Sequence, residues 1–332
     1  MIWTRKKVLV TGATGLLGSH LTRELMERGA EVVALVRDVT PRSLFFASGE
    51  SWQLDRRVIQ VRGEVENLAL LTRVMVEHEI EVAFHLAAQT IVGCANQSPI
   101  GTFKANIEGT WNLLEAARQY PKLRLVVIAS SDKAYGNLHG MAYDETFPLR
   151  GEHPYDVSKS CADLISQSYA KTYRLPVVVT RCGNLFGPGD LNYSNLIPGI
   201  IRDALLDQRP IIRSDGKAIR DYIYVEDGVH AYLTLAENYL QRPDPAELIG
   251  EAFNFSYGLR LPVIDVVRRI LMVTAKNNLE PLVLSEAKNE IPVQCLDSSK
   301  AREWLNWQIK FGFDEGLKRT VSWYRGEILG AI

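Results

Sequence analysis

Tyr155 and Lys159 stand four residues apart in the stretch HPYDVSKS, a spacing that puts both side chains on one face of a helix. An ammonium near a phenol favours the phenolate. Bringing a phenol from ~10 toward 7 takes about 4 kcal/mol of differential stabilisation, and a neighbouring ammonium plus a cationic ring can supply it. Such a tyrosine takes the proton from a hydroxyl while hydride leaves the same carbon. The spacing alone decides little: with 13 Tyr and 13 Lys among 332 residues, chance supplies roughly half a match, so context must decide. Here the pair opens a helix well downstream of a glycine-rich turn, which is the context the chemistry needs.

A second candidate set lies just upstream. SSDKAYG, residues 130–136, follows the apolar run Leu125-Val126-Val127-Ile128-Ala129. An acid and an amine at the end of a buried strand are costly unless they are paired, neutralised or used. Asp132 and Lys133 are therefore candidates for acid and base work, with a structural ion pair as the plainer alternative.

These residues need a scaffold. KKVLVTG, EVVALVR, RVIQVRG, VAFHLAA, LRLVVIASS and PVVVTRCGN read as strands, separated by the helical patterns GLLGSHLTRELMERG, LALLTRVMVEHE, NIEGTWNLLEAARQY and YDVSKSCADLISQSYAKTY. Continuous apolar strands alternating with helices predict a parallel sheet covered on both faces, a doubly wound α/β domain. In TGATGLLGSHL, Gly12, Gly15 and Gly18 fall at the first strand-to-helix turn, where glycines admit a pyrophosphate against the helix N–H groups. The spacing is GxxGxxG rather than GxGxxG, but its place at the start of the first βαβ unit predicts a dinucleotide site. At the end of the second strand, ALVRDVTPR puts Val36 where an acid often holds the ribose, then Arg37 and Asp38. Arg37 and Arg42 suit a 2′-phosphate while Asp38 suits a ribose hydroxyl. NAD is the expected cofactor, and NADP stays open because of Arg37.

After about residue 186 the pattern changes. FGPGDLNYSNLIPG reads as loop, RDYIYVEDGVHAYLTLAENY as a strand then a helix, GEAFNFSYG as a strand, and the tail as two amphipathic helices. The expected organisation is a Rossmann-type domain over 1–185 and a smaller α/β substrate domain over 186–332, interleaved with the first. Arg213 and Arg220, with Arg202 weaker, are the candidate anion-binding cations of this segment.

A formal net charge of −1 gives no basic footprint for nucleic acid. No apolar run approaches the ~20 residues of a membrane helix, and no signal peptide is visible. Cys94, Cys161, Cys182 and Cys295 are scattered without a CxxC pair, which reads as reduced thiols in a cytoplasmic protein with no metal site.

At this point the chain resembles the extended short-chain dehydrogenase/reductase family, the NAD-dependent sugar-nucleotide epimerases and dehydratases. The matching stretches are TGATGLLGSHL, HLAAQ, NIEGTWNLLEAA, SSDKAYG, YDVSK, TRCGNLFGPGD, RDYIYVEDGVHAYL and LDSSKAREWLNW, in the family's order along nearly the whole chain. The resemblance implies cofactor contacts from Gly12, Thr14, Gly15, Leu16, Leu17 and Gly18, and from Arg37, Asp38, Glu64 and Val65. It adds Leu86, Ala87, Ala88, Gln89, Asn106 and Ser130, with Tyr155 and Lys159 beside the nicotinamide. It implies nucleotide-sugar contacts from Gln89, Asn184, Asn195 and Leu196 besides the three arginines. Epimerases of this family usually carry small uncharged residues after the Ser pair. The 4,6-dehydratases carry an acid and a second ionisable group, Asp-Lys in the CDP-glucose type, so Asp132-Lys133 resembles the latter. RDYIYVEDGVHAYL looks more like the epimerases, and the VR ending the second strand resembles NADP-using GDP-mannose dehydratases. The implied chemistry has Ser131 orient the 4-oxygen, Tyr155 take its proton, Asp132 protonate the leaving 6-hydroxyl, and Lys133 act as the C5 base or tune it. Lys133 needs a lowered proton affinity for that, which burial and Lys159 nearby favour. A 4-epimerase is the alternative, and a non-catalytic cofactor sensor a further one. The helices TFKANIEGTWNLLEAAR and YDVSKSCADLISQSYAKTY resemble those that pair across a four-helix homodimer contact.

Overall fold

Six apolar runs become the first six strands: β1 Lys7–Thr11, β2 Glu31–Val36, β3 Ile59–Arg62, β4 Val82–His85, β5 Leu125–Ala129 and β6 Val177–Cys182. The computed structural model describes residues 2–47, 52–137, 142–286 and 291–330. A further strand, Ala252–Phe255, pairs in parallel with β6. From that edge the sheet runs Ala252–Phe255, β6, β5, β4, β1, β2, β3, and every pairing in it is parallel. Strand residues alternate between two apolar layers, as the pleat requires. Val8, Val10, Phe84, Val127 and Val178 face one core with Leu21 and Leu235. Leu9, Ala83, Val126 and Ile128 face the other with Leu71, Val74, Leu113 and Ala117. Helices therefore cover both faces, the doubly wound arrangement that the sequence predicts.

Strand order reverses at β1. The chain goes outward to β2 and β3, then returns to place β4 on the other side of β1. Crossovers leaving in opposite directions open a crevice beyond the carboxyl ends of β1 and β4, where such sheets bind ligands.

The rest of the chain caps that crevice. Asn184–Phe186 pairs with Tyr222–Tyr224, Ile219–Arg220 with Leu261–Pro262, and Ile211–Ile212 with Leu282–Val283. Helices Leu196–Leu205, Val263–Thr274 and Gly312–Leu329 pack over these short ladders through Ile197, Ile200, Val266, Phe313 and Leu317. The intervening helix Val225–Gln241 and the strand Ala252–Phe255 return to the main sheet. The stretch read as loop up to residue 199 differs from the structure, since a helix begins at Leu196. Pro198 misleads there: proline is tolerated in a helix's first turn, where its missing N–H has no partner to lose.

Candidate active site

The glycine turn is shaped by space as much as by backbone freedom. Gly12 has φ +72°, and a Cβ on it would lie 2.7 Å from the Ala87 nitrogen. A Cβ on Gly18 would lie 2.0 Å from the Gly12 carbonyl oxygen. Helix Leu16–Glu27 starts from Gly15 without a side-chain cap, so its opening N–H groups face the cleft with the positive end of the macrodipole. A cradle that any methyl group would fill, at a helix N-terminus, fits a dinucleotide pyrophosphate.

Around this turn lies a cleft of about 910 Å³, lined by Gly12, Thr14, Gly15, Leu16, Leu17, Gly18, Arg37, Asp38, Val65, Leu86, Ala87, Ala88 and Ser130 from the expected cofactor set. Arg37 donates from Nε to Asp38 at 2.6 Å, with both side chains more than half exposed. Three expected contacts do not line the cleft. Glu64 is exposed, while Glu66 lines the wall instead. Gln89 spends its side-chain oxygen on the Ile91 N–H at 3.1 Å. Asn106 sits in a π turn, Lys104–Glu108, where it accepts from the Gln89 N–H at 2.7 Å and donates to the Gln89 carbonyl and the Ser158 hydroxyl. Gln89 and Asn106 thus shape the cleft wall from behind. His85 braces the same loop between Thr11 and Thr110, at 2.9 and 3.2 Å, and burial together with the Lys159 charge pushes it down to about 3.

The chemistry-bearing residues meet at the end of β5. Ser131 caps a 3₁₀ turn, Asp132–Tyr135, by accepting from the Lys133 N–H. Its hydroxyl donates to Asp132 Oδ1 at 3.0 Å. Lys133 Nζ lies 3.3 Å from both Asp132 oxygens and from Asn184 Oδ1. The carboxylate is nearly sealed, with its side chain 3 % exposed, while the ammonium keeps 20 %. Ser131, Asp132, Lys133, Tyr155 and Lys159 all line the cleft. Local order explains why: a buried strand ends at Ala129, the turn points both charges forward, and Pro154 opens the helix carrying Tyr155 and Lys159.

The electrostatics correct one expectation. Tyr155 is held above the usual phenol range, chiefly by burial; its hydrogen bond with Ser131 eases ionisation, while Asp132 and Asp156 oppose it. Lys159 donates to the Ala129 carbonyl at 2.8 Å, and burial lowers it to about 8. An ammonium so desolvated does not by itself make a phenolate. Lys133 likewise sits between carboxylates rather than beside Lys159 alone: it pairs with Asp132 and acts on Asp156, whose own carboxyl is raised by burial. Asp156 is a charged neighbour of Lys133 that sequence reasoning did not single out, although it stands inside YDVSK. Cys182 and Tyr232 also line the cleft unforeseen.

Asn184, beside Lys133, and Asn195, Leu196, Arg202, Arg213 and Arg220 line the same cleft. Asn184 donates to the Asp221 carbonyl at 2.8 Å. Arg202 pairs with Asp203 at 2.7 Å and lies over the Tyr193 ring. Arg220 donates to the Ile219 and Ile291 carbonyls.

A doubly wound sheet, a pyrophosphate cradle and a Ser-Tyr-Lys set in one cleft define a nicotinamide-dependent α/β enzyme. The NAD dependent epimerase/dehydratase family model matches residues 8–254; the chain belongs to that family, within the extended short-chain dehydrogenase/reductase enzymes. It is 32% identical over 343 residues to a CDP-glucose 4,6-dehydratase of Salmonella typhimurium, covering 99% of this chain and 93% of the relative. A dTDP-glucose 4,6-dehydratase of Xanthomonas campestris is 28% identical over 95% of this chain and 92% of its own length. Among solved structures, a Thermotoga maritima UDP-glucose 4-epimerase with UDP-glucose superposes with a TM-score of 0.85 at 29% identity, covering 97% of this chain and 99% of that one. A Bacillus anthracis dTDP-glucose 4,6-dehydratase in complex with NAD gives 0.82 at 27% identity, covering 98% of both chains.

Proposed function

We propose that this protein is a sugar-nucleotide 4,6-dehydratase that converts an NDP-hexose to the NDP-4-keto-6-deoxyhexose, with CDP-glucose the favoured substrate. The observation that carries the reading is the Asp132–Lys133 pair, which opens onto the same cleft wall as Ser131, Tyr155 and Lys159. A 4-epimerase needs only the last three. The cradle of Gly12, Gly15 and Gly18 would hold NAD, which when bound would supply a reversible hydride acceptor for the sugar's C4 and C6. Ser131 and Tyr155, already hydrogen-bonded to each other, close on the sugar 4-oxygen, and Tyr155, which the positive charge of bound NAD together with Lys159 would bring to the phenolate, takes its proton. The C4 ketone acidifies the C5 hydrogen. Asp132 and Lys133 then act as one unit: a proton first passes within the pair from the Lys133 ammonium to the Asp132 carboxylate, the neutral amine receives the C5 proton, and the Asp132 acid gives its proton to the leaving C6 hydroxyl, which departs as water and restores the ion pair. Arg202, Arg213 and Arg220, which line the same cleft, are the cations that would take the diphosphate.

Incubation with CDP-, dTDP-, UDP- and GDP-glucose tests the reading. A 4-keto-6-deoxy product absorbs in alkali; release of an epimer alone contradicts it. Asp132→Asn and Lys133→Ala are expected to oxidise C4 yet stall before water loss, so reduced cofactor accumulates in both. Normal water loss in Lys133→Ala removes Lys133 from the base role.

The same reading includes a homodimer through helices Gly109–Gln119 and Pro154–Tyr173. Trp111 and Leu164 stay 42% and 53% exposed, one on each helix, apolar surface that suits a four-helix contact.

A further inference from the structure

The 3₁₀ turn that presents Asp132 and Lys133 ends in Tyr135, which is fully buried. Its hydroxyl donates to Asn254 Oδ1 at 2.8 Å and accepts from Arg181 Nη1 at 2.8 Å. The Arg181 guanidinium lies over the Tyr135 ring, 4.9 Å from its centre, and reaches across to Asp163 with two bonds of 2.8 and 3.1 Å. Asp163 belongs to helix Pro154–Tyr173, one turn beyond Lys159. A second link joins the same elements, since the Ser160 hydroxyl donates to the Ala134 carbonyl at 2.8 Å.

As a source of stability this ion pair is a poor choice. Its two side chains are 3% and 0% exposed, and burying such a pair costs as much desolvation as its attraction returns; apolar replacements are often neutral or better. What a fully satisfied polar network does supply is one fixed geometry. Every oxygen of Asp163 is engaged, because Gln167 also donates to it at 2.6 Å. The strut runs from the turn that carries the elimination pair to the helix that carries the oxidation pair.

We propose that Tyr135, acting through Arg181 and Asp163, is a positioning residue that keeps the Asp132–Lys133 turn in register with Tyr155 and Lys159. It thereby sets how fast water is lost relative to how fast C4 is oxidised. The inference rests on the dehydratase reading and names residues that touch neither sugar nor cofactor. The ring of Tyr135 fills the core, while the hydroxyl holds the register.

Tyr135→Phe keeps the ring and removes the strut's hydroxyl. In stopped-flow mixing of the NAD-loaded enzyme with CDP-glucose, the variant is expected to form reduced nicotinamide near the wild-type rate, read at 340 nm. It then holds that signal, because turnover falls by about ten- to a hundredfold, the cost of an ångström-scale misplacement, with KM little changed. Ser160→Ala, an exposure-neutral change on the second link, is expected to shift the same partition in the same direction by less, and it serves if Tyr135→Phe does not fold. Oxidation and turnover slowed by one common factor, with no build-up of reduced cofactor in either variant, overturns the inference and leaves the dehydratase reading standing. A wild type that makes no keto sugar from any of the four glucose nucleotides overturns that reading, and the inference with it.

Discussion

Lys159 donates its one short contact to a backbone carbonyl, and burial lowers its affinity for a proton from 10.5 to about 8. The unfolded chain keeps the ordinary value, so between about pH 8 and 10.5 the unfolded state binds more protons and stability rises with pH. Below pH 8 the residue carries its full penalty, about 3 kcal/mol. Lys159→Met is therefore expected to be inactive yet more stable at pH 7 by about 2 kcal/mol, after about 1 kcal/mol for the orphaned Ala129 carbonyl. The gain disappears by pH 10 to 11. Urea unfolding at both pH values checks it, and a variant less stable than wild type at pH 7 contradicts it. Asp38 offers another test at this scale. Its carboxylate occupies Arg37 and repels a 2′-phosphate, an effect of about 1 kcal/mol between exposed charges. Asp38→Ala should raise kcat/KM or affinity for NADP relative to NAD by roughly fivefold; an unchanged ratio removes both residues from cofactor choice. The local signals behind Tyr155, Lys159, Asp132 and Lys133 were legible because each pair lies within one turn of chain. Glu66 in place of Glu64, and Asp156 beside Lys133, were not. Which of two neighbouring acids faces a cleft depends on a turn at Gly63, φ +152°, and the approach of Asp156 depends on how a distant turn docks.

Elements fix what those residues can do. The six strands of the sheet were readable because parallel strands buried on both faces are continuous apolar runs. Helix Val263–Thr274 was not named from the sequence, though Val263, Val266, Val267, Ile270 and Leu271 form a buried stripe at helical spacing; β-branched residues blurred the pattern. Asn106, expected among the cofactor contacts, bonds to the Gln89 backbone and the Ser158 hydroxyl. Its place in a π turn, the kind of helix distortion often found at functional sites, follows from backbone hydrogen bonding that a residue pattern does not encode. The first βα turn makes the sharpest prediction here. Gly18→Ala sets a methyl group against the Gly12 carbonyl, at 2.0 Å unless the helix moves. It should abolish co-purified dinucleotide, measured as absorbance at 260 nm after denaturation. Wild-type cofactor content in that variant contradicts the cradle.

For the whole molecule, one continuous apolar core runs from the sheet into the capping segment: Val10, Tyr232, Phe186, Ile200, Val266 and Leu317 belong to it together. The cleft between them is thus shaped by a shared core rather than by two bodies joined at a linker. The late return of Ala252–Phe255 to the sheet edge beside β6 makes the chain interleaved. That could be foreseen only loosely, because strand order is set by long-range pairing. The proposed dimer belongs to this scale. Leu164→Glu should turn a dimer into a monomer in sedimentation, and a wild type that sediments as a monomer at micromolar concentration contradicts the four-helix contact. No described helix is long and apolar enough to cross a membrane.

The most direct measurement uses CDP-glucose carrying deuterium at C4. If Asp132 and Lys133 drive water from the sugar while C4 is oxidised, mass and proton spectra of the product show the label in a C6 methyl group and a mass lowered by one water. A product of unchanged mass with deuterium still on C4 and the hydroxyl there inverted would contradict the account.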